Sequence, residues 1–447
     1  MKQTLIVFRT CPKTLVADKK ASFLRLSQLK RCEFTRVNNL SGSERNKNSI
    51  FLQALFCFII TMAMTACYHR NAKQNEVIQT TKMNGNQEAY EDSLKMANAL
   101  SLQSQFKRVV FPKGETQAVD QKSGVDAADD PAIWYNANNP EESRILATDK
   151  KAGLALYNLS GKLIHFMPAG RVNNVDLRYN IPFKNKKIDI AAASERNLNA
   201  LMLFEVKADS LSLLCEPIRL DSNLIDEAYG CCMYYSKRKK AYYAFVCGKN
   251  GLLQQWRLIN NAEKIMLKRV RDIHFSSQSE GMVADDEEGL LYVAEEGKAI
   301  WKMNAEEDAS NEKTYLKESD SLNVSIAYDL EGLDIYYSGN NKGYLIASIQ
   351  GNFSYAIFKK EGNNRYLGNF VIKSSNFIDG AEETDGLAIC NLNLGSRYPN
   401  GLLVVQDGFN TKDDITVPQN FKLVDWADIA KKYDPTLRIS PDYIWWE

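Results

Sequence analysis

The feature that most constrains this chain is a unit that recurs about every fifty residues from residue 109 onward. Each unit opens on an acidic residue near a Gly or Pro and runs into an apolar strand. It then turns through polar residues, often with a Gly, and returns in a second strand that stops abruptly at charged or polar residues. Six stretches obey this pattern: "DDPAIWYNANNPEESRILATDKK", "VDLRYNIPFKNKKIDIAAASER", "DEAYGCCMYYSKRKKAYYAFVCGK", "EGMVADDEEGLLYVAEE", "EGLDIYYSGNNKGYLIASIQ" and "DGLAICNLNLGSRYPNGLLVVQD". Their acidic starts fall at Asp130, Asp176, Glu227, Glu280, Glu331 and Asp385, in steps of 46, 51, 53, 51 and 54 residues. A unit of short strands at this period cannot bury both faces of its own sheet, and stacking such units round an axis buries them. The expected fold is therefore all-β, a six-bladed β-propeller over residues 108–447. Segments such as "GLALYNLSGKLIHFM" and "AIWKMN" supply the outer strands, and "VDWADIAKKY" is the best helical candidate.

The second strands end, in order, in Lys150–Lys151, Arg196, Lys249, Glu295–Glu296, Gln350 and Gln406–Asp407. Equivalent positions of a rotary repeat share one rim, so cations line one half and acids or amides the other. Such a rim suits a polyanion held together with metal ions, although any one of these residues alone reads equally well as a solvated loop end. The acidic starts make a second layer: Asp126, Asp129, Asp130, Asp176, Glu280, Asp329, Glu331, Asp379 and Asp385. "SGVDAADDPAIWYN" crowds Asp126, Asp129 and Asp130 against an apolar strand. Like charges so close repel, and a divalent cation removes the repulsion; Asp126 reads alternatively as a strand-start cap. Oxygen donors in number, without imidazole, favour calcium over zinc or iron.

Absences narrow the chemistry. The histidines are His69, His165 and His274, none in a motif, and the chain lacks RHGxRxP, HExxH, a P-loop and a dinucleotide-binding glycine fingerprint. A hydrolase built this way works with metal-bound water rather than a side-chain nucleophile. With 56 basic against 55 acidic residues there is no basic stripe for nucleic acid. Past residue 67 the cysteines are 215, 231, 232, 247 and 390, set in apolar runs that read as core, without metal or disulfide spacing.

The N-terminus reads separately. Residues 50–66, "IFLQALFCFIITMAMTA", follow Arg45 and Lys47 and run into Cys67. This is the layout of a signal segment, and "MTAC" is similar to a bacterial lipoprotein signal in which Cys67 is acylated. The residues before it are an unusual prefix, as if the start codon were placed too early. Residues 1–66 are expected to be leader and 67–107 a polar tether. The body is then lipid-anchored in the cell envelope, on the periplasmic or outer-membrane side, and touches the membrane only through Cys67. An uncleaved transmembrane anchor is the competing reading.

A family resemblance joins these observations. "DAADDPAIW", "KKAGL", "NNVDLRY", "IAAASER", "DEAYG", "EGMVADDEEGLLYVAEE", "AIWK", "EGLDIYY", "GYLIASIQGN", "SYAI", "TDGL", "QDG" and "QNFKLVDW" run in order from about Glu115 to about Ala430. In this the chain resembles the β-propeller phytases, the calcium-dependent alkaline phytases. The resemblance implies the same fold and stepwise hydrolysis of phosphomonoesters of inositol hexakisphosphate by attack of a calcium-bound water, with several calcium ions. It implies phytate or calcium-phytate as partner, and the chain is expected to act as a monomer.

Carried over by position, Lys150, Arg196, Tyr229 and Lys249 look like the phosphate-holding set, Lys151 like a further phosphate contact, and Glu296 like a member of the cleavage pocket. Asp129, Asp130, Asp176, Glu280, Glu296, Asp329, Glu331, Gln350, Asp379 and Asp385 look like calcium ligands, with Glu115 and Asp126 as additions. Asp149, Glu195 and Glu383, and the lack of an acid after Lys249, depart from the family pattern and bear on calcium affinity and pH optimum. The alternative from another class is a non-catalytic, calcium-stabilised propeller that binds a phosphorylated or sugar ligand. A propeller lactonase or diesterase would instead show one compact metal site without a basic half-rim.

Overall fold

A computed structural model describes residues 93–260 and 264–446. The leader, Cys67 and the first part of the expected tether lie outside the described residues. Within the stretch read as tether, residues 93–103 form a helix that buries Ala99 and Gln103. The Gln103 amide donates to the carbonyl of Phe353 at 3.1 Å, which ties the helix to the propeller. No helix among the described residues is long and apolar enough to cross a membrane.

Six sheets follow one another in chain order as the blades of a propeller, antiparallel except for Val109–Val110, which lies parallel to the outer strand Tyr366–Ile372 of the fifth. Their first strands are Ala128–Trp134, Val172–Phe183, Ala228–Ser236, Ser279–Asp285, Leu330–Gly339 and Leu387–Cys390, and these pack against one another round the axis. Strands Ala128–Trp134 and Ser279–Asp285 are buried along their whole length. That is why both read as unbroken apolar runs once their opening acids are passed.

The core is divided into six clusters, one in each gap between neighbouring blades. Between the fourth and fifth, for example, Val283 and Tyr292 pack with Ile335, Tyr337 and Phe358. Each such side chain contributes about 1.5–3 kcal/mol on burial, so every blade depends on both neighbours. The ring is closed by the N-terminal strand Gly114–Glu115, which pairs with Asn420–Asp425 of the last blade, Glu115 opposite Lys422. The expected C-terminal helix is present as Trp426–Ala430, capped by the Asp425 side chain, which accepts from the amide of Ala427.

One register feature places the site. In the first five blades the inner strand carries a β-bulge near its start, at Asp129–Asp130, Asn173–Asn174, Tyr229–Gly230, Glu280–Gly281 and Glu331–Gly332. Asp385–Gly386 takes the same place just before the sixth. A bulge re-aims the side chains beside it, here to one end of the axis. The periodicity assigned three starts differently, taking Asp130 where the equivalent bulge residue is Asp129. Asp176 lies three residues beyond the bulge residue Asn173, down the axial channel, and Glu227 lies two residues ahead of Tyr229. The bulge glycines are required by crowding: a Cβ on Gly281 would overlap the carbonyl oxygen of Glu331, and one on Gly386 would overlap the Asp130 side chain.

The opposite end of the axis is closed by the C-terminal tail. Trp446 stacks on Tyr179 of the second blade at 4.0 Å, and Trp445 stacks on Tyr337 of the fifth at 4.7 Å. Asn391 of the sixth blade donates to the carbonyls of Ser440 and Tyr443, and Tyr443 reaches Glu287 of the fourth. Lys237 of the third blade donates to the Trp445 carbonyl, and Tyr135 of the first lies 6.0 Å from the Trp446 ring. The tail thus touches all six blades.

Candidate active site

The second strands end at Asp149, Glu195, Gly248, Glu295 and Ile349 in the first five blades. Lys150, Arg196, Lys249, Glu296 and Gln350 each stand one residue beyond, at one register position on one rim. The bulge residues Asp129, Asn173, Tyr229, Glu280, Glu331 and Asp385 stand inside them, nearer the axis.

On the cationic half, Lys150 is buried with its Nζ 2.7 Å from Asp126, 3.0 Å from Asp129 and 3.2 Å from Asp385. Burial alone would lower its pKa, and the carboxylates of Asp129, Asp385 and Asp126 outweigh that and raise it. Lys151 is exposed, its backbone N–H held by Asp149 at 2.9 Å. Arg196 donates to Glu227 at 2.6 Å and to the Asn173 side chain at 3.2 Å. Two cations lie over the Tyr229 ring, the Arg196 guanidinium 5.7 Å and the Lys249 ammonium 4.6 Å from its centroid. Burial and then the charges of Glu280, Glu331 and Glu296 push the Tyr229 hydroxyl far up, so it stays protonated.

On the acidic half, Glu280, Glu296 and Glu331 bring carboxylate oxygens within 4.8 Å of one another. Burial is the first cause of raised pKa values here, to about 7 for Glu280 and for Glu296, and well above the ordinary value for Glu331. Neighbouring acids add to it: Asp129 on Glu280, Asp329 on Glu296, and Glu280 on Glu331. Asp329 is exposed beside this cluster. Asp385 is raised as well, by burial first, and accepts from the Gln350 amide at 2.6 Å.

A metal fits this donor set. Asp129 Oδ2, Glu296 Oε1 and Glu331 Oε2 are buried carboxylate oxygens without a hydrogen-bond partner. Leaving such atoms unpaired is costly, and a hard cation bridging several of them removes the cost. The donors are all oxygen, which disfavours zinc.

Four of the expected ligands stand elsewhere. Asp130 points into the axial channel and accepts from the Val175 amide of the next blade at 2.9 Å. Asp176 does the same one blade on, accepting from Met233 at 2.8 Å and from Arg178 at 3.0 Å. Both line a water-sized axial cavity of about 80 Å³ with Arg178 and Asp334. Asp379 and Glu115 meet at the ring seam, where both bind the buried ammonium of Lys422, which also lies 3.2 Å from Asp407.

Two rim residues had no signal in the sequence. Asn173 joins the halves, donating to Glu280 at 2.5 Å while accepting from Arg196. Gln278 donates to Glu296 at 2.9 Å. Neither amide carries a charge, and only the bulge alignment across blades places Asn173 among the acids.

The geometry defines a class: a six-bladed propeller whose axial rim carries cations on one side and, on the other, a carboxylate cluster that could hold a metal ion. Comparison makes it specific. The phytase family matches residues 76–443, and the chain belongs to that family. It is 44% identical over 314 residues, 69% of this chain and 82% of the relative, to the 3-phytase of Bacillus subtilis strain 168.

Proposed function

We propose that the chain is a 3-phytase, a phosphoric monoester hydrolase acting on inositol hexakisphosphate, with calcium ions held by the carboxylate cluster. The observation that carries this reading is the meeting, on one rim, of the set Lys150, Arg196, Tyr229 and Lys249 with carboxylates that keep unpartnered buried oxygens. A propeller that used metal only for stability would not need the cationic half.

Phosphoryl transfer needs charge neutralisation, positioning and an in-line nucleophile. Lys150, Lys151 and Lys249 supply point charges to phosphate oxygens, and Arg196 a two-pronged donor. The protonated Tyr229 hydroxyl donates a further hydrogen bond. Glu280, Glu296, Glu331, Asp129, Asp385 and Asp329 are the residues that would hold calcium, with Gln350 and Asp126 at the rim beside them. Calcium bound there supplies positive charge to the non-bridging oxygens and acidifies a water. Glu296, held at Oε2 by Gln278, would orient that water and accept its proton as the new P–O bond forms. The ester P–O bond breaks and the leaving alkoxide takes up a proton from solvent. Asp130, Asp176, Asp379 and Glu115 join as ligands only at the channel and the seam, separate from the cleavage position. The lipid-anchored envelope location and the monomeric state complete the proposal and rest on the reading of residues 50–67 and on the closed ring.

Glu296→Gln tests the assignment. It keeps the shape and the Gln278 contact side while removing the proton acceptor. The expected result is loss of at least about 100-fold in kcat with phytate still bound; unchanged kcat would remove Glu296 from the chemistry.

A further inference from the structure

We propose that Gln278 is a positioning residue that fixes the Glu296 carboxylate for the reaction, a role that rests on the reading of Glu296 above. Gln278 immediately precedes the inner strand of the fourth blade, Ser279–Asp285. It grips Glu296 at two points. Its backbone carbonyl accepts from the Glu296 amide at 3.1 Å, and its Nε2 donates to Glu296 Oε2 at 2.9 Å. The same Nε2 lies 3.4 Å from the Tyr229 hydroxyl. With Oε2 tied, Oε1 is the oxygen of Glu296 left without a partner.

The gripping loop is itself pinned. Glu295, the neighbour of Glu296, accepts from the Ser276 amide at 3.0 Å, the Ser276 and Ser277 hydroxyls at 2.7 Å each, and the Trp301 indole at 2.8 Å. Two adjacent glutamates therefore have opposite tasks. Glu295 spends Oε1 on residues 276 and 277 and Oε2 on Trp301, and Gln278, next in that loop, leaves Glu296 one free oxygen. A primary amide has two N–H donors, which suits a residue that must serve a carboxylate and a phenol together. A carboxylate at this position would repel Glu296, and a thioether would donate to neither. Partners that orient a ligand in this way typically change metal affinity or activity by about 10–100-fold when removed.

The test is steady-state phytate hydrolysis by Gln278→Met and Gln278→Glu over a calcium titration, with Glu296→Gln and the Gln278→Met/Glu296→Gln double variant in parallel. Thermal unfolding of each variant is measured in calcium. The expected result is a kcat about tenfold lower or more, a phytate KM within about twofold, a higher half-activating calcium concentration and an unchanged Tm. In the Glu296→Gln background the second substitution should add nothing. A kcat within about twofold of the parent in both single variants overturns the proposal. So does a full additional loss in the double variant, which would mean that Gln278 acts by another route. Full activity in Glu296→Gln instead overturns the reading of Glu296, and the proposal with it. Should Gln278→Met fold poorly, Gln278→Glu, which keeps the shape, carries the same comparison.

Discussion

The ammonium of Lys150 lies 3.2 Å from a carboxylate oxygen of Asp385, although 235 positions separate them in the chain. They meet because the sixth blade returns beside the first, and this contact is where the cationic and acidic halves of the rim adjoin. Lys150→Ala should leave Asp129 and Asp385 without their cation and take one charge from the phosphate site. A charge-assisted hydrogen bond is worth about 1.5–3 kcal/mol, so kcat/KM for phytate should fall by roughly 10–100-fold. Steady-state kinetics check this, and an unchanged kcat/KM would place the phosphate elsewhere.

Stability without calcium should fall as pH rises. Glu280 and Glu296 have pKa values raised to about 7 in the folded chain, against about 4.3 in an unfolded one. Between those values the folded state binds the extra protons, so the slope of unfolding free energy with pH is negative. Their contribution is full below about pH 4 and is lost as pH climbs through about 7, on the order of a few kcal/mol. Calcium takes the place of those protons, so its stabilisation should be larger near pH 8 than near pH 5.5. Unfolding curves in EGTA and in calcium at both pH values decide; an EGTA-treated protein that gains stability over that range would contradict the assignment.

Gly281→Ala should be costly although it removes no ligand side chain. The added methyl meets the Glu331 carbonyl, forcing the fourth and fifth inner strands apart. A loss of about 1–3 kcal/mol is expected, together with reduced activity because Glu331 moves with its strand. Gly297→Ala is the control, since nothing lies within 4 Å of its added carbon. Equal melting temperatures for the two variants would mean that the inner strands yield.

Removing the tail's aromatic anchor should separate stability from catalysis. Trp446 stacks on Tyr179 at the end of the axis away from the rim. Trp446→Ala should lower Tm by about 5 °C while leaving phytate kinetics at 25 °C within about twofold. A change in kcat without a change in Tm would mean that the tail reaches the rim.

The blades were legible in the sequence because each repeats its chemistry: an acid beside Gly, an apolar run, and a charged stop. That repetition located Lys150, Arg196, Lys249, Glu296 and Gln350, which the structure sets at one register position. It misplaced Asp130 by one residue and Asp176 and Glu227 by more, because the repeated chemistry sits at the bulge, where the second and third blades carry Asn173 and Tyr229 in place of an acid. A charge pattern cannot reveal a neutral residue at a charged position. Gln278 was invisible for the same reason. Ring closure by Gly114–Glu115 and the tail across six blades depend on contacts hundreds of residues apart, which leave no local period. The structure leaves the expected cysteines 215, 231, 232, 247 and 390 free, four of them buried.

The central claim is that one rim joins a calcium-held carboxylate cluster to a phosphate-holding cationic half. Phosphate release from phytate by the purified protein, as calcium is titrated back after EGTA treatment, tests it most directly. Release should be negligible in EGTA and recover with calcium, and Glu296→Gln should not recover at any calcium concentration. Full release in EGTA, or recovery of Glu296→Gln to the parent rate, would contradict it.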